Sequence, residues 1–321
     1  MNRKTLILLF SLLFVSMLIA DVRGQKENKP VSSETPLLFG EGVISTPDNE
    51  GNLSLAPDGK TLYFTKFAPF DTSFVAIVVS RLRGNNWSKP EIADFSSPGN
   101  DGDPFVAPDG SKIFYVSFRS ADGKRKADTD IWMVEKLGDK WSAGKNLGAT
   151  VNTDGFELSP NVTKDGTLYF WSIRKDGKGG GDIYRSRLTN GEYAAPENLG
   201  EIINSPGNET DLFVAPDESY LIFTSDRPGG EGGGDLYISY RDGSSWTTPK
   251  NLGKTVNTKA TETAPYVTPD GKQLLFVSTR GAGDNTPSKS LTYDELNRAL
   301  KGANNGRRNI YAVTFALVNG R

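Results

Sequence analysis

Residues 105–119 read FVAPDGSKIFYVSFR: an apolar run, a Pro-Asp-Gly turn, and a second apolar run that ends in Arg. Proline presets φ, the Asp side chain offers an Asx hydrogen bond, and glycine tolerates positive φ, so two strands joined by a tight turn are expected. The phrase returns as SLAPDGKTLYFTK at residues 54–66, NVTKDGTLYFWSIR at 161–174, FVAPDESYLIFTSDR at 213–227 and YVTPDGKQLLFVSTR at 266–280. The turn aspartates Asp58, Asp109, Asp165, Asp217 and Asp270 lie 51 to 56 residues apart. That period suits one four-stranded blade per repeat.

Outward from the turn, a third strand begins at Asp130, Asp182, Asp235 and Asn309 (DIWMVEKL, DIYRSRLT, DLYISYRD, NIYAVTFA), while the first copy has AIVVSRLR from Ala76. A fourth, shorter strand starts at Trp87, Trp141, Tyr193 and Trp246, aromatic residues expected to pack between sheets. Five inner strands are thus followed by only four outer ones. The missing strand is found at the other end, because ETPLLFGEGVIS (34–45) aligns with AAPENLGEIINS (194–205). The expected fold is all-β: a five-bladed β-propeller of four-stranded antiparallel blades, closed by the N-terminal strand in the last blade. Residues 35–321 form one domain with a single long insertion at 281–309, where Thr292 and Glu295 make a capping box for one short helix.

These copies resemble the TolB-like, WD40-like family of Pro-Asp-repeat β-propellers. Its motif is an acidic residue, then Pro-x-Val/Ile-Ser/Thr/Ala-Pro-Asp-Gly-Lys, an apolar strand, Ser-x-Arg and Asp-Ile-Tyr. The likeness runs over residues 35–320. It implies the propeller fold and leaves function to the site, since one fold hosts many activities.

Composition narrows the chemistry. The chain has 321 residues, no cysteine and no histidine. Disulfides, thiolate nucleophiles, a lipoprotein acylation site, Ser-His-Asp chemistry and imidazole ligands are excluded. A net charge of −2 without a basic stripe argues against nucleic acid. Arg3 and Lys4, an apolar run over residues 6–20 and small residues at Ala20 and Gly24 describe a secretory signal peptide over residues 1–24, with a linker at 25–34. The expectation is a periplasmic or secreted monomer without a transmembrane span after cleavage, whose partner is an envelope protein, a peptide or a glycan.

Eight residues before each turn aspartate stands an acid: Glu50, Asp101, Glu157, Glu209 and Glu262. Six before it stand Asn52, Asp103, Ser159, Asp211 and Ala264. Period two puts both positions on one side of a strand, so the carboxylates are expected to ring one channel mouth. Lys66, Arg119, Arg174, Arg227 and Arg280 end the second strands on the same face. One reading is a polar funnel for a sugar, a peptide terminus or a hard cation such as calcium or magnesium. The other has each acid pair with an Arg, or cap backbone N–H groups, where blades meet. Phe67 and Phe70, in the loop KFAPFDTSF, join the candidate ligand-binding set. No residue is assigned a catalytic role. The enzyme alternative is a carboxylate-dependent glycosidase, which needs two differentiated acids about 5–10 Å apart. The glycine-rich loops KDGKGGGD (175–182) and DRPGGEGGGD (226–235) lead into strands at Asp182 and Asp235, whereas a phosphate loop leads into a helix N-terminus. They are expected to be tight blade connections.

Overall fold

A computed structural model describes residues 34–68, 74–97, 99–281 and 292–316. The signal peptide, Phe70 and residues 282–291 of the insertion lie outside the described residues.

Each repeat forms an antiparallel sheet. The three long strands of blade one are Asn49–Leu55, Thr61–Phe67 and Val75–Arg83, and those of blade two are Asp101–Val106, Lys112–Arg119 and Arg125–Leu137. Blade three has Glu157–Val162, Leu168–Ser172 and Asp182–Ser186; blade four has Glu209–Val214, Tyr220–Ser225 and Asp235–Asp242. Blade five runs Glu262–Val267, Gln273–Ser278, Asn309–Thr314, and is completed by Leu37–Leu38 through the pairs Leu37↔Ala312 and Leu38↔Tyr311. The N-terminal strand therefore closes the ring as the alignment predicts. The Tyr266 hydroxyl adds a bond from blade five to the Leu55 carbonyl of blade one.

The middle strands hold the core because both their faces are covered by neighbouring blades. Leu62, Phe64, Ile113, Leu168, Phe170, Leu221, Phe223, Leu274 and Phe276 are almost fully buried. The recurring aromatics pack where expected: Trp141 meets Tyr63 edge-on at 6.4 Å, Tyr193 meets Phe114 at 6.5 Å, and Trp87 meets Phe39 at 5.7 Å. Each belongs to one blade and touches the blade before it.

The outer strand differs from the continuous one expected. In blade one it splits into Asn86–Trp87, paired with Leu82 and Arg83, and Glu91–Ile92, paired with Val78 and Val79. Ser88 interrupts the ladder by accepting the Arg81 N–H on its hydroxyl, and Pro90 has no N–H to give.

The glycine-rich loops are seams between blades. A Cβ on Gly179 would sit 1.7 Å from the Gly207 carbonyl oxygen, and one on Gly232 would sit 2.0 Å from that of Ala260. Only glycine allows this approach. The Asp235 carboxylate fixes the turn by accepting the N–H groups of Glu231 at 2.6 Å and Gly232 at 3.1 Å, and Asp182 does the same for Lys178 and Gly179. Parallel bridges from Gly181 to Asn208 and from Gly234 to Thr261 then tie each loop to the entry of the next inner strand. The insertion carries a helix, Tyr293–Lys301, started by the expected Thr292–Glu295 capping box.

Candidate functional site

The five acids eight residues before the turns do not ring an open mouth. Glu50, Asp101, Glu157, Glu209 and Glu262 are each fully buried, and each is held inside its own blade. Glu209 accepts the Ser205 N–H at 2.6 Å, the Ser205 and Ser225 hydroxyls at 2.7 Å each, and the Arg227 guanidinium at 3.1 Å. Thr258, Ser278 and Arg280 repeat this around Glu262, and Thr153, Ser172 and Arg174 around Glu157. Arg119 holds both oxygens of Asp101 at 3.1 Å. Burial pushes the carboxyls of Glu50, Asp101 and Glu157 above the ordinary range, against the pull of these donors.

Blade one solves the same problem differently. Lys66 lies opposite Glu50 in the register, where the other blades have Ser117, Ser172, Ser225 and Ser278. The arginine position, two residues later, is Ala68. Lys66 is therefore not the counterpart of the arginines, although its ammonium does their work at 2.6 Å from Glu50.

The residues six before the turns point elsewhere. Every inner strand carries a bulge at this second position, and Asp103, Ser159, Asp211 and Ala264 adopt left-handed φ of 50°, 51°, 31° and 48°. A bulge inserts a residue and re-aims the next side chain, which is why simple alternation misplaces them. They converge on the axis. The Asn52 amide reaches the Ser159 hydroxyl at 2.9 Å and Asp211 at 3.3 Å, and Ser159 donates to Asp211 at 2.5 Å. Asp103 accepts the Ser159 N–H at 3.1 Å, and Thr263 donates to the second oxygen of Asp211. Bonds between blades one, three and four, which are not neighbours in every case, place this cluster at the centre. Burial, then the charge of Asp211, pushes Asp103 up to about 7. A cavity of about 20 Å³ adjoins the cluster, lined by Asn52, Asp103 and Ser159 together with Pro104, Pro160, Pro265 and Tyr266. That holds a water molecule rather than a sugar ring.

Above the cluster lies a rim. Phe67 is not on a loop, as its sequence context predicts, but is the last residue of its strand, paired with Asn49 and Val75. Its ring lies over Gly51, where a Cβ would come within 2.4 Å of it, and beneath Arg308 at 5.4 Å. Arg308 also pulls against the raised pKa of Asp103, so its charge reaches the axis. Arg125 stacks on Phe118 at 4.7 Å. Arg308 and Thr263 are absent from the residues picked by repeat position. The Arg-Arg pair that ends the insertion just before Asn309 was the available signal for Arg308; Thr263 carried none.

On the opposite face, the turn aspartates cap their own turns. The Ser111 N–H lowers Asp109, the Ser219 hydroxyl lowers Asp217, and the Thr268 hydroxyl lowers Asp270. Grooves of about 760 Å³ and 380 Å³ run between blades one and two and between blades two and three on that face.

No family model and no curated protein matches the chain. Among solved structures, a putative TolB from Agrobacterium tumefaciens is 17% identical with a TM-score of 0.49, over 84% of this chain and 91% of that one. TolB from Acinetobacter baumannii is 17% identical with a TM-score of 0.46, over 83% of this chain and 54% of that one. An alpha-L-arabinofuranosidase from Lactobacillus brevis is 14% identical with a TM-score of 0.48, over 85% and 93%. Likenesses of this degree carry nothing about ligand or chemistry.

Proposed function

We propose that the protein is an exported, non-catalytic binding propeller that holds an envelope protein, peptide or glycan on the loop-bearing face around Phe67 and Arg308. The observation that carries this reading is the use of the acids. The five buried carboxylates are spent on blade-internal bonds, and the cavity at the Asp103 and Ser159 cluster holds only about 20 Å³. Contacts are then left to the rim, where a guanidinium over an aromatic ring gives a planar, charged surface suited to recognition. Among the described residues no helix is long and apolar enough to cross a membrane. Export to the periplasm or beyond rests on the signal-like residues 1–24.

Capture from an envelope extract by the chain of residues 25–321 tests the reading. Binding to one partner is expected, and Arg308→Glu or Phe67→Ala is expected to weaken it at least tenfold. Capture that neither change alters would move the site to another face.

One observation favours a second reading. Asp103 and Asp211 are adjacent acids in unlike environments, the pattern of an acid–base pair. Hydrolysis of a chromogenic glycoside panel that is abolished by Asp103→Asn would establish it. Calcium or magnesium at the axis is the remaining alternative. A thermal shift with either ion that Asp211→Asn removes would support it.

A further inference from the structure

Blade one departs from the repeat at two places that face each other. In blades two to five a guanidinium lies over a third-strand ring: Arg119 over Trp132 at 4.9 Å, Arg174 over Tyr184 at 5.0 Å, Arg227 over Tyr237 at 5.1 Å and Arg280 over Tyr311 at 4.9 Å. The strand pairing Lys66↔Ala76, set beside Ser278↔Asn309, puts Val78 in the ring position of blade one. Ala68 stands in the arginine position. Both halves of the stack are missing from the same blade.

A cavity of about 490 Å³ opens there, between the turn that leaves blade five and the outer strands of blade one. It is lined by Val43, Thr46, Lys66, Val78, Lys89 and Pro90. In blade two Gly144 holds the place of Pro90, and a Cβ there would meet the Tyr115 hydroxyl at 2.2 Å and the Trp132 ring at 3.4 Å. An apolar cavity of about 150 Å³ already takes a benzene ring, so the space is ample. Its two charged lining residues are Lys66, whose part-buried ammonium is paired with Glu50 and with Asp48 at 3.2 Å, and Lys89, which is exposed.

We propose that this cavity is a binding site for an aromatic carboxylate. The ring would lie against Val78, Val43 and Pro90, in the space that Trp132 and the tyrosines fill in the other blades, with the ammonium of Lys66 beside it. The carboxylate would pair with Lys89 at the rim. The source is either a free aromatic acid or the C-terminal aromatic residue of a polypeptide, which share this chemistry. The site is separate from the channel rim and stands whether or not that face binds a partner.

Titration of the protein by NMR with 3-phenylpropionate, with a tetrapeptide ending in Phe, and with phenethylamine tests the assignment. Dissociation constants on the order of 1 mM are expected for a ligand of this size. Saturable binding of the acid places the source among small molecules, and binding of the peptide alone places it on a protein; either supports the site. Val78→Tyr restores the residue of blades three to five and is expected to weaken binding at least tenfold. Lys89→Glu, at an exposed position that leaves the fold unchanged, is expected to weaken it several-fold. No binding of either acid to the unaltered protein, undiminished binding to both variants, or tighter binding of the amine would overturn the proposal.

Discussion

Glu209→Ala is expected to destabilise the protein by about 3–5 kcal/mol, the range for breaking a buried ion pair from one side. The change strands the Arg227 guanidinium, whose side chain is only 16% exposed, and removes the acceptor of the Ser205 and Ser225 hydroxyls. Arg227 keeps its bond to the Ile203 carbonyl at 2.6 Å, but a neutral acceptor does not compensate a buried charge. Glu50→Ala is the internal comparison. Lys66 is more exposed, at 28%, and has Asp48 in reach at 3.2 Å, so a smaller cost of about 1–2 kcal/mol is expected. Urea unfolding of both variants measures the difference. A loss below 1 kcal/mol at Glu209, accompanied by lost partner capture, would return the buried acids to a binding role.

The axis should make the protein less stable as the solution turns alkaline. Asp103 has a folded pKa of about 7, above its ordinary value near 4. The folded state therefore takes up a proton that the unfolded chain has released between those values. That contribution is complete below about pH 4 and lost as pH rises through 7. From pH 5 to pH 8 the loss is about 2–3 kcal/mol, at 1.36 kcal/mol per unit over the interval below 7. Asp103→Asn keeps an acceptor for the Ser159 N–H and removes the repulsion from Asp211. It should flatten the curve and make the variant the more stable protein at pH 8. Glu50, Asp101 and Glu157 tilt both curves alike, so the difference between the two proteins isolates Asp103. Parallel curves would mean that Asp103 is ionised throughout. The turn aspartates act at the other end. Their pKa values are lowered, so their contribution is held above pH 4 and fades as pH falls through the folded values.

The site was only partly legible in the repeat. The acid and the Ser-x-Arg of each blade could be aligned, and their pairing stood as one of two readings. What misled was the step from spacing to direction. Two positions, two residues apart, share a side of a regular strand, but the bulge with left-handed Asp103, Ser159 and Asp211 turns the second toward the axis. The same limit applies to Lys66. In sequence it falls in line with the strand-ending arginines, yet the pairing with Glu50 sets it two residues before the arginine position.

The sequence by itself determined the number of blades, the strand order, the closing role of residues 34–45 and the non-phosphate character of the glycine loops. These follow from turn chemistry and apolar patterning, which are local and repeat five times. Only the tertiary structure decided which acids are buried and which meet at the axis, why Gly179 and Gly232 admit no side chain, and that a cavity opens beside Val78 in blade one. Those depend on bulges and on contacts between blades, where the meaning of a residue is set by a neighbour some fifty positions away.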